Sequence, residues 1–556
     1  MGKKVIYQIF TRICCNDTLN PIPGGSILRN GCGKMNSYTP TVLNEIRKTG
    51  VTHIWFTGLI AHASRTSYSD SGIPASHRST VKGEAGSPYA IRDYYDIDPD
   101  LAESVPDRMQ EFRDLIQRVH EAGMKFIMDF VPNHVAREYH STLLPEGGKD
   151  LGETDDSGLS FSPMNNFYYI PGQPLSGEID WGDYKEFPAK ATGNDRFSST
   201  PSQSDWYETI KLNYGIDYAG GRTFFDPIPY TWFKMRDILL FWASWNIDAF
   251  RCDMAEMVPA EFWHWAIKSV KEKHPEIEFI AEIYNPGSYS RYIRYGGFDY
   301  IYDKVGLYDT LRAITIGRQP ATDITRCWQQ SGDNGAHMLH FMENHDEQRI
   351  ASDFFAGNAL KGRAPMIVSA LMDSCPVMVY AGQEIGEPGM DCEGFSGLDG
   401  RTTIFDYWAP DKLRRLYNGG KWDDALLTKD EMELKHFYST LLNICTSEKS
   451  ISEGKFFDLM YVNPMSEYFN PNQQYAFLRA DGRNALLVVV NFSGKPIRSA
   501  VSIPRHAFDY MGLKEKNSCL FTELLSNQKM KADLYADLPL RFNVPALSGV
   551  VLKWTI

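Results

Sequence analysis

The sequence predicts an α/β fold: a closed (β/α)8 TIM barrel with a domain inserted after strand 3 and a C-terminal antiparallel β-sandwich domain. Eight short apolar runs look like buried parallel strands, and each is followed by a stretch with helical periodicity. Acidic residues follow several of these runs at the spacing of a barrel repeat. The chain has 556 residues, 43% of them hydrophobic, which is enough for two or three domains.

The predicted strands alternate with helices in the order expected of a barrel with parallel strands. They occupy residues 5–10, 53–56, 126–130, 247–250, 279–281, 300–302, 340–342 and 377–380. Alternation alone favours a closed barrel over an open sheet only weakly, so the spacing of the polar residues at the strand ends is needed as well.

The distances between strands also predict the domain boundaries. Asp253 follows Asp129 by 124 residues, whereas one barrel unit takes roughly 31. About 90 residues rich in turn formers are therefore inserted after the third strand. After about residue 450 the pattern changes to strands separated by turns. We predict a barrel of residues 1–134 and 215–450, an inserted domain of residues 135–214 and a C-terminal β domain of residues 451–556.

Composition excludes several classes of partner. The formal net charge is −13, and no basic run is interleaved with aromatic residues, so neither a nucleic acid nor an anionic membrane is expected. The N-terminus lacks the pattern of a secretory signal, and the longest apolar run, 485–490, is too short to span a bilayer. The nine cysteines show no CxxC spacing. We expect a soluble, cytoplasmic protein, and the sequence does not indicate its oligomeric state.

Three carboxylates are predicted to share one face of the barrel. Asp253 and Glu282 are 29 residues apart, and Asp346 follows Glu282 by 64. These distances are about one and two barrel units, which places the three side chains just past strands 4, 5 and 7. Active sites of this fold are built at that C-terminal face.

The surroundings of these carboxylates suit acid–base and nucleophilic chemistry. Arg251 lies two residues before Asp253, and a guanidinium beside a carboxylate keeps it ionised, as a nucleophile requires. Glu282 follows an apolar run, and partial desolvation suits a general acid. Alone, each is also consistent with a structural ion pair or a strand-end cap. The adjacent His345 and Asp346 could bind a metal, but no HxxxH or HExxH partner lies near them in the sequence.

Four stretches resemble the conserved regions of the α-amylase family, glycoside hydrolase family 13. They are residues 129–134, 248–256, 279–284 and 341–346, in the family's order and approximate spacing. Flanking stretches near residue 7 and at 87–95, 380–386 and 400–408 are similar too, so the resemblance covers nearly the whole chain.

The resemblance implies a role for each candidate residue. Asp253 would be the nucleophile, Glu282 the acid/base, and Asp346 the group that binds sugar hydroxyls and favours the distorted ring. Tyr89 would stack under the sugar before the scissile bond. The implied hydrogen-bonding residues around that ring are His134, Arg251 and His345.

The chain departs from the family at two places. Asn133 matches a calcium-ligand position of many relatives, but Lys211 stands where another ligand often is, so we expect no cofactor, and Asn133 would be a metal ligand only if a calcium site exists. Glu256 and Met257 replace the lysine and histidine that contact the leaving-group side in typical α-amylases.

The expected substrate is an oligosaccharide or α-glucan. The resemblance implies a retaining α-glycoside hydrolase acting on α-1,4-linked maltooligosaccharides or glucans, and Met254 in place of valine after the implied nucleophile favours α-1,4 over α-1,6 linkages. A transglycosylase of the same family remains open, since both activities use one covalent intermediate. A non-catalytic binding subunit is disfavoured, because all three carboxylates are present.

Overall fold

The computed structural model describes residues 2–144 and 147–556 of the chain. Pro145 and Glu146, which fall in the predicted inserted domain, and Met1 lie outside the described residues. The barrel strands are β1 (Val5–Phe10), β2 (His53–Thr57), β3 (Lys125–Phe130), β4 (Ala249–Cys252), β5 (Glu278–Ala281), β6 (Tyr300–Tyr302), β7 (Met338–Phe341) and β8 (Val377–Tyr380).

The eight strands form a closed parallel barrel, which confirms the predicted fold class. Each strand pairs in parallel with the next, and β8 pairs back with β1 through Val5↔Val377. Two predicted strands were misplaced: β4 begins two residues later than predicted and includes Arg251, and β7 begins at Met338. The prediction followed apolar runs, whereas β4 carries a charged side chain inside the barrel.

Helices surround the barrel. The longer ones are α1 (Pro40–Lys48), α2 (Arg108–Glu121), α3 (Tyr230–Ala243), α4 (Ala260–Lys273), α5 (Asp309–Thr315), α6 (Asp323–Ser331), α7 (Arg363–Leu371), α8 (Asp411–Tyr417) and α9 (Lys429–Ser447). Helices of only three or four residues occupy Ile27–Asn30, Tyr289–Arg291 and Lys449–Ser452, and the helix Arg505–Met511 lies in the C-terminal part. The start of α9 is fixed by a capping box, in which Thr428 and Glu431 bind each other's backbone N–H groups.

The barrel interior is filled with side chains. One apolar cluster inside it takes residues from all eight strands: Ile6, Trp55, Ile127, Ala249, Ile280, Tyr302, Leu339, Phe341 and Met378, together with Tyr308 from the loop after β6. A larger cluster packs the outer face of the barrel against the helices. The barrel is therefore a packed core, and substrate can reach only its ends.

The long segment between β3 and α3 carries little regular structure. It contains three small antiparallel sheets, which pair His134–Ala136 with Thr209–Lys211, Tyr169–Ile170 with Ala189–Lys190, and Ile216–Asp217 with Arg222–Thr223. The last sheet lies beyond residue 214, the predicted end of the inserted domain. The domain boundaries themselves stay a prediction. A further two-stranded sheet pairs Ile60–His62 with Ile91–Ile97 beside the barrel.

The C-terminal part is an antiparallel β structure. Its strands are β9 (Lys455–Asp458), β10 (Gln474–Ala480), β11 (Asn484–Asn491), β12 (Ile497–Val501), β13 (Lys516–Glu523), β14 (Gln528–Leu534), β15 (Leu540–Val544) and β16 (Ser548–Thr555). Six of them form one sheet in the order β9-β10-β11-β16-β13-β14, and β12 pairs with β15. Within residues 2–144 and 147–556, no helix has the length and apolarity needed to cross a membrane.

Candidate active site

A polar layer lies above the apolar filling of the barrel. Side chains two residues apart on a strand point to the same side. The residues two positions beyond Ile6, Trp55, Ile127, Ala249 and Ile280 are accordingly Gln8, Thr57, Asp129, Arg251 and Glu282, and all five are buried. Two residues further along each of these strands, the side chains inside the barrel are therefore polar instead of apolar, and this polar layer lies at the C-terminal face.

Arg251 lies at the centre of this layer and is fully buried. Its Nη1 donates to Asp253 Oδ1 at 2.9 Å and to Asp129 Oδ1 at 3.3 Å. Its Nη2 lies 2.9 Å from Glu282 Oε2 without the alignment of a hydrogen bond, and its Nε donates to the Tyr302 hydroxyl at 3.2 Å. One guanidinium therefore contacts the carboxylates that follow β4 and β5 and the one carried by β3.

Backbone hydrogen bonds that continue the barrel ladder position Asp253 and Glu282. Asp253 N–H donates to the Phe130 carbonyl at 2.9 Å, and Glu282 N–H donates to the Cys252 carbonyl at 3.1 Å. Both residues are buried. Burial, the neighbouring Glu282 carboxylate and other nearby acids raise the pKa of Asp253, and the Arg251 guanidinium opposes that rise.

Strained backbone beside Asp253 completes the contacts of Glu282. Met254 has φ of +42° and ψ of +41°, the left-handed region that side chains rarely occupy. In this conformation its N–H donates to Glu282 Oε2 at 2.8 Å. Strain of this kind is typical of functional sites, where the surrounding structure holds it in place.

Asp346 follows β7, and its side chain is partly open to the cleft. The Asn344 side chain accepts from the N–H groups of Asp346 and Glu347, both at 2.9 Å, which fixes the turn. Arg401 donates to the Asp346 carbonyl at 2.5 Å. The turn thus presents the third carboxylate to the same cleft as the other two.

Two of the predicted sugar-binding residues contact each other. The Tyr89 hydroxyl and His345 Nε2 are 2.5 Å apart, and the two rings stack with centroids 5.3 Å apart. His345 Nδ1 lies 2.7 Å from the Gln8 amide nitrogen. Since that nitrogen donates, Nδ1 accepts and Nε2 carries the proton. Burial and the Arg251 charge lower the pKa of His345 to about 3, so the ring is neutral.

His134 borders the same cleft, at the start of the inserted segment. Burial and the nearby Lys211 charge lower its pKa to about 3. Its ring packs against Trp206 with centroids 5.2 Å apart. Both residues border a cavity of about 370 Å³ that also reaches the three carboxylates. The structure therefore brings Tyr89, His134, Arg251, His345, Asp253, Glu282 and Asp346 together around one cleft.

Sequence reasoning missed several residues of this cleft. Lys82 and Glu208 both border it and form an ion pair at 2.9 Å that joins the loop before Tyr89 to the inserted segment. No feature of the sequence indicates that these two loop residues, which are far apart in the chain, form an ion pair. Tyr284 also borders the cleft and could have been found, because it lies two residues beyond Glu282 and so on the same side of an extended chain.

The residues at the implied calcium position do not fit a divalent cation. The Lys211 ammonium donates to Asn133 Oδ1 and lies 2.7 Å from Asp195 Oδ1. A cation bound by Asn133 would lie against this buried positive charge, and like charges repel strongly where water is excluded. Within the described ranges, 2–144 and 147–556, no group of three or more His, Cys, Asp or Glu side chains could hold a metal ion.

Glu256 does not face the cleft as a leaving-group contact. Its carboxylate accepts from the backbone N–H groups of Tyr284 at 3.2 Å and Asn285 at 3.1 Å. The residue that replaces the usual lysine therefore fixes the loop after β5.

Comparisons with known proteins agree with this architecture. A family model described as Alpha amylase, catalytic domain, matches residues 29–155. Alpha-amylase 2 of Dictyoglomus thermophilum is 22% identical over 413 residues, which covers 73% of this chain and 58% of that protein. An alpha-1,4-glucan:maltose-1-phosphate maltosyltransferase of Cereibacter sphaeroides is 24% identical over 249 residues, which covers 44% of this chain and 28% of that protein. The chain thus spans little more than half the length of the first of these relatives.

The solved structures show the same fold. The maltogenic α-amylase AmyB of Thermotoga neapolitana superposes with a TM-score of 0.63 at 17% identity, over 100% of this chain and 99% of that one. The likeness to these structures shows the (β/α)8-barrel fold. At the level of sequence, the chain is similar to the catalytic domain of α-amylases over residues 29–155.

Replacing Arg251 by lysine tests the central contact. Lysine keeps the charge, but one ammonium cannot replace a planar fork that contacts several carboxylates at once. We expect Arg251→Lys to lower kcat/KM on maltooligosaccharides by about a hundredfold or more, because the orientation of the charged groups is lost. Arg236→Lys, on the outer face of α3 beside Asp237, is the matched control. Activity within about threefold of the unaltered protein would contradict this role.

Proposed function

We propose that the protein is a retaining α-glycoside hydrolase acting on α-1,4-linked maltooligosaccharides or glucans. The observation that carries the proposal is the single Arg251 guanidinium in contact with both Asp253 and Glu282 at the floor of the cleft. Two carboxyl groups held by one guanidinium are close together. Close carboxyl groups, about 5–5.5 Å apart, suit a retaining mechanism, whereas an inverting one needs space for water between them.

The reaction proceeds in two displacements. Asp253 attacks the anomeric carbon while the bond to the leaving oxygen breaks, and Glu282 gives its proton to that oxygen. Glu282, now ionised, takes a proton from water, whose oxygen displaces Asp253 from the sugar. Both carboxyl groups return to their starting state. Asp346, with its side chain open to the cleft, binds hydroxyls of the same sugar ring.

The surrounding residues support the roles that the family resemblance implies. Tyr89 and His345 form one stacked, hydrogen-bonded pair, and Tyr89 and His134 border the same cavity. Uncharged donors and an aromatic face suit a neutral sugar. The cavity of about 370 Å³ is within the usual size range of small-molecule sites.

Substitution of the two reacting carboxylates tests this assignment. We expect Asp253→Asn and Glu282→Gln each to lower kcat by several powers of ten while thermal unfolding stays close to that of the unaltered protein. Asp237→Asn and Glu276→Gln, both at exposed positions, are the controls. The first product seen by NMR is expected to be the α anomer. A β anomer would exclude retention, and near-normal activity of either variant would overturn the assignment.

Transglycosylation is the second candidate function. It uses the same glycosyl–Asp253 intermediate, with a sugar hydroxyl in place of water. The maltosyltransferase of Cereibacter sphaeroides supports this alternative, because it aligns with 44% of the chain.

Product analysis separates the two activities. The protein is incubated with maltooligosaccharides of graded length, with and without an added acceptor sugar, and with maltose 1-phosphate as a donor in a parallel reaction. Hydrolysis is expected to give only shorter oligomers. New oligomers longer than the substrate, absent from the same reaction with Asp253→Asn, would favour the transferase.

We also propose that the fold needs no calcium, because Lys211 supplies a positive charge at Asn133 and Asp195. Dialysis against EDTA is then expected to leave Tm and activity unchanged, as measured by calorimetry and by glucan hydrolysis. A fall in Tm of several degrees that calcium alone reverses would contradict this, since a bound ion stabilises the folded state by mass action.

A cytoplasmic location remains part of the proposal. All nine cysteines lie in the described residues, none is in a disulfide, and eight are buried. Unpaired thiols are typical of proteins from reducing compartments.

A further inference from the structure

The phenol of Tyr284 contacts the candidate acid/base directly. Its hydroxyl donates to Glu282 Oε1 at 2.5 Å. We propose that Tyr284 is a positioning residue for Glu282, whose hydroxyl stabilises the ionised carboxylate that the second displacement requires. The inference rests on the proposed function, because it assigns Tyr284 a part in the acid–base cycle of Glu282.

The two oxygens of Glu282 have different surroundings. Oε2 accepts from Met254 N–H at 2.8 Å and lies 2.9 Å from Arg251 Nη2. Both neighbours are donors that keep their protons, so Oε2 is a poor place for a proton. Oε1, which meets only the Tyr284 hydroxyl among the hydrogen bonds of Glu282, is therefore the oxygen that carries the proton to the leaving group.

Tyr284 is held in place before substrate arrives. The Glu256 carboxylate accepts from the backbone N–H groups of Tyr284 and Asn285. The Glu256 carbonyl in turn accepts from the Tyr292 hydroxyl at 3.2 Å. The phenol thus reaches Glu282 from a fixed loop, and little side-chain freedom is lost when the contact forms.

Tyr284 gives up no proton in either displacement. In the first displacement Glu282 Oε1 passes its proton to the leaving oxygen, and Tyr284 donates a hydrogen bond to the carboxylate that remains. In the second displacement Oε1 takes a proton from water. Burial and the Glu282 charge raise the pKa of Tyr284 well above its ordinary value, so the phenol keeps its proton throughout.

Other titratable groups also surround Glu282. The titratable groups that face its carboxylate are Arg251, Asp253, Tyr284, Tyr302 and His345. Burial raises the pKa of Tyr302 well above its usual value, and His345 is neutral. Because Asp253 and Arg251 also interact with Glu282, a control variant and a second substrate are needed to isolate the effect of the lost hydrogen bond.

The test is the pH dependence of kcat/KM for maltotetraose in Tyr284→Phe. The ring remains, but the ionised carboxylate of Glu282 that the second displacement requires loses its hydrogen-bond donor at Oε1. We expect the alkaline limb of the profile to move up by about one pH unit, the size expected for one hydrogen bond to a charged group. Tyr295→Phe, a half-exposed tyrosine stacked on His264, is the control and should leave the limb unchanged.

A substrate with a leaving group that needs no proton gives the second measurement. With α-maltosyl fluoride the first displacement no longer requires the acid, so Tyr284→Phe should not shift the alkaline limb of kcat/KM. A shift of equal size on both substrates would indicate a general structural effect and overturn the inference. So would an unshifted or lowered limb on maltotetraose in a variant with normal Tm. If the limb does not shift as expected but Glu282→Gln is inactive, the proposal for Tyr284 fails and the proposed function remains. If Glu282→Gln is active, the proposed function and the proposal for Tyr284 both fail.

Discussion

Arg251 places a full positive charge inside the barrel, in contact with three carboxylates on three neighbouring strands. A buried charge is tolerated only when it is paired, and a buried carboxylate has the same requirement. Asp129, whose pKa burial raises to about 6, and Asp253, the proposed nucleophile, could not both lie in this dry layer without the guanidinium between them. The arrangement is costly in isolation, and the surrounding barrel must hold it rigidly. The same rigidity fixes Asp253 and Glu282 relative to each other.

Strands and loops of the fold contribute different kinds of residue to the cleft. The charged groups stand on or directly after strands, where ladder hydrogen bonds such as Asp253 N–H to Phe130 fix them. The walls come from loops, where Lys82 and Glu208 join two separate segments. Strand ends change little when a loop is lengthened or replaced. The chemistry is therefore set by the barrel, whereas the choice of substrate depends on loops that share no common pattern.

This division also explains what could be predicted from the sequence. Period-two alternation and the barrel repeat are enough to bring Asp253, Glu282 and Asp346 to one face, because strand geometry is regular. The limits of β4 were wrong by two residues, because Arg251 looks like the end of a buried strand when only apolar residues are counted. The Lys82–Glu208 pair could not be predicted, since loop conformation decides it. The sequence showed that Lys211 stands where a calcium ligand is often found. Its contact with Asn133 could be seen only in the folded structure.

The leaving-group side is where this chain differs most from typical α-amylases, and the structure gives the difference a physical meaning. A lysine in place of Glu256 would extend toward the departing sugar, whereas this carboxylate turns back to bind the N–H groups of the loop after β5. Glu256 thus fixes the loop after β5 and does not present a charge to the sugar. The contact that it orders, the Tyr284 hydroxyl on Glu282, acts on the proton that every leaving group or acceptor must receive or give up. In the proposed mechanism Glu256 therefore acts through the acid/base, by ordering the loop that carries Tyr284, and not through a contact with the departing sugar.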